Sequence, residues 1–136
     1  MADKTRRVEY YYVTVPDRPG EGKRVLSALK QSNVNLLAYL GFPSGDGNSQ
    51  LDLVPENANA LKQAAGKTGL KLSDSKWAFL IQGDDRAGAV ADTLAKLADA
   101  NVNVTAASAA TAGGHYGLVV WVSPSDYERA ARALGI

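Results

Sequence analysis

The residues of widest chemical scope in this chain are two copies of one short motif, Asp17-Arg18-Pro19-Gly20 and Asp85-Arg86-Ala87-Gly88. A carboxylate, a guanidinium and a glycine can hold a small zwitterion but do not form a bond-breaking set. Each copy lies between a β-prone run and a helical stretch, where unpaired backbone N–H groups and the positive end of the helix dipole attract a carboxylate. Glycine there lets a ligand approach the backbone closely. The competing explanation is a helix cap, with Asp accepting from the early N–H groups, Gly turning the chain and Arg in solvent. Asn35 and Asn103 stand fifteen positions beyond each motif's glycine. They weigh toward a ligand, because an amide that both donates and accepts suits a zwitterion.

Other chemistries lack their groups. With one His and no Cys, thiolate nucleophiles, redox pairs and zinc thiolate sites are excluded, and neither a metal nor a cofactor is expected. His115 falls in a Gly-Gly-His turn, and no Gly-x-Ser-x-Gly elbow is present, so no catalytic residue is assigned and the chain is not read as an enzyme. Gly66-Lys67-Thr68 resembles the end of a phosphate-binding loop, but the first glycine of that motif would fall at Leu61 and the triplet closes a helix. The charges nearly balance, at 15 Lys+Arg against 14 Asp+Glu, which argues against a nucleic-acid surface. No segment has the length of a membrane span or the pattern of a signal peptide, so a cytoplasmic location is expected.

The elements that must carry the motifs come from an internal repeat. A constant offset of 68 relates Gly20 to Gly88, Leu26 to Leu94, Leu29 to Leu97, Asn33-Val34-Asn35 to Asn101-Val102-Asn103, and Gly45 to Gly113. Twice that offset is the whole chain of 136 residues, of which 46% are apolar. Each copy opens on an apolar β-prone run, Val8 to Val15 or Trp77 to Gln82. A helix with apolar residues three and four apart follows its motif and stops at Asn33 or Asn101. A strand, a Gly-bearing turn and a second strand form a hairpin, over 36–42 and 50–54 or 102–107 and 116–122. A second helix closes each copy, started by Pro55-Glu56-Asn57 or by Ser123-Pro124-Ser125-Asp126.

This order predicts an α+β fold of two ferredoxin-like βαββαβ units in tandem, residues 1–73 and 74–136, with antiparallel sheets covered by helices on one face. Copy one has a short candidate for its fourth strand at Leu70 to Leu72. Copy two runs out at Gly135-Ile136, so Leu70 to Leu72 could serve either edge.

A first strand, Asp-Arg-Pro-Gly, an apolar helix, Asn-Val-Asn-Leu, a hairpin and a second helix together resemble the ACT domain. The resemblance spans nearly the whole chain as two consecutive copies, with Ala87 in copy two where the family often has Pro. It implies a non-catalytic regulatory module that binds an amino acid or similar small metabolite at the interface of paired units and relays occupancy to a metabolic enzyme or regulator. By position it implies ligand contacts from Asp17, Arg18, Gly20 and Asn35, and from Asp85, Arg86, Gly88 and Asn103. Val15 and Gly83, two residues before each Asp, bring no polar side chain to such a site. A homodimer is the expected assembly. The alternative is a protein–protein interaction module with no small-molecule ligand.

Overall fold

The computed structural model describes residues 3–136. They form two compact units, one of residues 9–76 and one of residues 77–136 together with 3–8. The opening strand β1 (Lys4–Pro16) is therefore divided between them.

In the first unit β1 leads into α1 (Glu21–Gln31), β2 (Leu36–Gly45), β3 (Asn48–Pro55) and α2 (Ala58–Thr68). Strand β3 pairs antiparallel with both β1 and β2. Alternate residues of a strand share a face, so Tyr11, Val13 and Val15 stand with Leu51 and Leu53 and are buried with Val25 and Leu29 of α1 and Leu61 and Ala64 of α2. Truncating a fully enclosed leucine such as Leu53 or Leu61 to Ala costs about 2–5 kcal/mol.

The second unit repeats the plan with β4 (Lys76–Asp84), α3 (Ala89–Asp99), β5 (Val104–Ala112), β6 (His115–Val122) and α4 (Tyr127–Ala133), the last entered through a 3-10 turn, Pro124–Asp126. Strand β6 pairs antiparallel with β4 and β5. Phe79, Ile81, Leu118 and Val120 pack with Leu97, Tyr127 and Ala130. The Tyr127 ring stacks on Phe79 at 4.4 Å, and its hydroxyl donates to the Ala78 carbonyl at 2.9 Å.

The helix boundaries follow the residue types. Helices α1 and α3 each begin at a glycine in the left-handed region, Gly20 (φ 91°) and Gly88 (φ 81°). Past their ends, Asn33 and Asn101 both adopt φ 57°, which Asn tolerates better than most residues. Asn57 caps α2, its side chain accepting from the Ala60 amide.

Two expectations need correction. Residues 70–75 form no strand and supply neither edge. Leu70 and Leu72 pack on the first core, and Ser73 bonds Tyr12 through its amide and its hydroxyl. Lys4–Val8 belongs to the second unit, where β1 is the hydrogen-bonded neighbour of β4. The repeat offset also changes inside the hairpin. Pro43 pairs with Ser49 and Thr111 with Tyr116, but a register shift between Pro43 and Gly45 makes Gly45 the counterpart of Ala112 rather than Gly113. Ser44 is the one-residue insertion, and beyond it Ser49 corresponds to Tyr116.

Candidate ligand-binding loops

The first loop joins β1 to α1. Turning the chain into a helix there requires a left-handed residue, which Gly20 supplies; no side chain caps the helix. Asp17 is thus not a cap. Its amide donates to the Gly47 carbonyl at 2.8 Å, and its carboxylate accepts from the Ser49 hydroxyl at 3.0 Å. Arg18 donates through Nε to Glu21 at 3.1 Å, and Arg24 reaches the same carboxylate at 2.9 Å. The bonds from Arg24 and then Arg18 hold the Glu21 carboxyl below its ordinary range. Asp17, Arg18, Glu21, Tyr39, Phe42 and Ser49 line a hollow of about 320 Å³. The Tyr39 hydroxyl lies close to Gly22 and Gly41, where a Cβ would stand 3.1 or 3.2 Å from it.

The second loop, between β4 and α3, has the same backbone and different chemistry. The Asp85 amide donates to Gly114 at 2.9 Å, as Asp17 does to Gly47, and Gly88 starts the helix with no side-chain cap. Arg86 has no glutamate three residues on, because position 89 is a buried Ala. Its guanidinium instead grips Asp3 with two bonds of 3.1 Å, touches the Asp84 carbonyl at 3.3 Å and lies 3.5 Å from Asp92. The Tyr116 hydroxyl donates to Asp3 at 2.7 Å. Arg86 first, then Tyr116, pulls the Asp3 carboxyl below its ordinary value, while burial and the Asp3 charge push the Tyr116 phenol up. Asp85, Arg86, Gly88, Ala109, Thr111 and Tyr116 line a hollow of about 240 Å³.

Each loop thus gathers its own Asp, Arg and Gly, but the asparagines lie elsewhere. Asn35 follows the far end of α1, an 11-residue helix that separates it from Asp17 by about 16 Å at 1.5 Å per residue. Its amide donates to Glu56 at 3.0 Å, and it lines a separate hollow with Leu26, Lys30 and Asn33. Asn103 is exposed beyond the end of α3.

Three polar groups escaped the sequence reading. Asp3 and Tyr116 meet across more than a hundred positions, which no local motif signals. Asp52 is buried at 6% exposure in β3, register partner of Tyr12. Burial pushes its carboxyl up, and the Gln50 amide, donating at 2.9 Å, opposes that. His115 is exposed, 3.7 Å from Asp84. Among the described residues, no helix is long and apolar enough to cross a membrane, and no three His, Asp or Glu gather where they could hold a metal.

No protein-family model matches the chain, and no curated protein matches it in sequence. Solved structures match in fold. Protein BT0572 from Bacteroides thetaiotaomicron superposes with a TM-score of 0.81 at 15% identity, over 96% of this chain and 88% of that one. The ligand-free regulatory subunit of aspartate kinase from Thermus thermophilus gives 0.63 at 16% identity, over 97% and 93%. The regulatory subunit from Thermus flavus gives 0.58 at 18%, over 98% and 93%. At these identities what is shared is the fold, the α+β architecture of aspartate kinase regulatory subunits.

Proposed function

We propose that this chain is a non-catalytic regulatory protein of the ACT type, which binds an amino acid or similarly small metabolite at its Asp-Arg-x-Gly loops and relays occupancy to a metabolic enzyme or regulator. The observation that carries the reading is the state of the two loop arginines. Arg18 and Arg86 each face a small hollow at a helix start, and each already holds a carboxylate of its own chain, Glu21 or Asp3. A guanidinium so placed recognises the carboxylate of a ligand through its N–H donors, as the bidentate grip of Arg86 on Asp3 illustrates. Asp17 and Asp85 offer the complementary charge for an ammonium group. The fold common to aspartate kinase regulatory subunits supports a regulatory role. Asn35 and Asn103 lie at the far ends of α1 and α3 from the loop of their own unit, so a site that uses them takes them from another ACT-like unit, as pairing in a homodimer would supply.

The test is thermal unfolding of the purified chain with each proteinogenic amino acid, several keto acids and purines at millimolar concentration. A ligand at about a hundred times its dissociation constant stabilises the native state by about 2.7 kcal/mol, which raises the midpoint by several degrees. A shift confined to one or two related compounds is the expected result. A flat panel contradicts the reading and favours the module that docks on a protein with no small ligand.

A further inference from the structure

The two loops differ at one place where the sequence repeat does not prepare for it. Two residues before the loop Asp, the first unit has Val15, whose side chain is buried in the core. The second unit has Gly83. A Cβ at Gly83 would overlap the Asp3 carboxylate and stand 2.9 Å from Cε1 of the Tyr116 ring. The missing side chain is therefore the floor on which that carboxylate rests. Above it are the Arg86 fork, bidentate at 3.1 Å on both oxygens, and the Tyr116 hydroxyl at 2.7 Å. Thr93, a buried polar residue at 5% exposure, stands beside the Tyr116 phenol. Ala89 removes the local partner that Glu21 provides to Arg18, which leaves Arg86 to a carboxylate from elsewhere.

We propose that Arg86, Tyr116 and the bare Gly83 form a carboxylate-binding site that Asp3 of the same chain fills, and that a small-molecule carboxylate must displace Asp3 to bind there. The proposal rests on the ligand-binding reading above and deepens it: Asp3 is an internal stand-in for the ligand's acid group. Its release breaks no strand, since Asp3 precedes the first residue of β1. Solvent reaches both partners, at 23% side-chain exposure for Asp3 and 41% for Arg86. A tethered group competes at an effective concentration on the order of millimolar. A metabolite at millimolar level can therefore win.

The experiment is a titration of the full chain and its Asp3→Ala and Asp3→Asn variants with sodium acetate, against sodium chloride at equal ionic strength, followed by NMR at the Arg86 Nε–H and the Tyr116 amide. A site that Asp3 covers nine-tenths of the time binds an outside ligand about tenfold more weakly. The expected result is saturable binding in both variants, about tenfold tighter than in the parent, and its loss when Arg86→Gln is added. Equal affinity in parent and variants, or no saturable response in the variants, overturns the proposal; unchanged amide spectra elsewhere show that the variants fold. If acetate behaves as expected while the amino-acid panel is flat, the carboxylate site stands and the regulatory reading falls. If the panel responds and acetate ignores Asp3, only the covering by Asp3 falls.

Discussion

Replacing Gly88 by Ala separates the conformational demand of the second loop from any contact it makes. Gly88 begins α3 at φ 81°, ψ 7°, and an added Cβ would meet nothing within 4 Å. The whole cost is then that of holding an L-residue in the left-handed region, about 1–2 kcal/mol. Gly20, at φ 91° with the same open surroundings, predicts the same. The two glycines sit in different compact units, so the double variant loses about 2–4 kcal/mol by simple addition. Urea denaturation followed by circular dichroism reads this as a lower midpoint at unchanged slope. For a chain of this size each substitution lowers the thermal midpoint by about 3–8 °C. A single cost above about 3 kcal/mol, beyond any left-handed backbone penalty, would refute the reasoning by revealing a steric contact. A cost near zero would show that the residue is not left-handed.

Two further substitutions test the electrostatics and the core. Burial holds the Asp52 carboxyl above its ordinary value, so its proton favours the native state. The stability it contributes is full below its unfolded pKa, about 3.9, and is lost as pH rises through the higher native value. Asp52→Asn should therefore raise the urea midpoint at pH 7 and converge on the parent toward pH 4; the reverse order would contradict the assignment. Tyr127→Phe removes the bond to the Ala78 carbonyl and should cost about 1 kcal/mol by urea melt. Burial also pushes the Tyr127 phenol up to about 12. The stability tied to its proton is present below about pH 10, the unfolded value, and fades as pH climbs through the native one, so the Phe variant should show a shallower alkaline decline.

The sequence made the duplicated plan legible because each copy repeats the signals that fix its elements. Apolar residues at helical spacing became the buried stripes Val25 and Leu29, then Leu97, and both asparagines past the helices took the left-handed turn. What it concealed was set by distant partners or by polar residues in regular structure. Lys4 to Arg7 precede the apolar run that begins at Val8, and their polarity hid that they are part of β1. Leu70 to Leu72 looked like a strand from its apolarity, but its leucines serve the core and leave no ladder. At the loops, residue types named the Asp, Arg and Gly that come together. They could not show that Arg86 is answered from position 3, because that depends on a distant carboxylate meeting Ala89, which offers no acceptor, and Gly83, which leaves room.

The central claim, that the Asp-Arg-x-Gly loops bind a small metabolite, is tested most directly by calorimetric titration of the parent chain and of an Asp17→Ala, Asp85→Ala double variant with the amino acid that shifts the unfolding midpoint. Neither aspartate belongs to a core cluster, and the Asp17 carboxylate gives up only its bond from Ser49, so the variant folds. The account predicts that its affinity falls at least about tenfold, the loss of roughly one charge-assisted contact worth 1.4 kcal/mol or more. Affinity unchanged from the parent would place the ligand elsewhere and contradict the account.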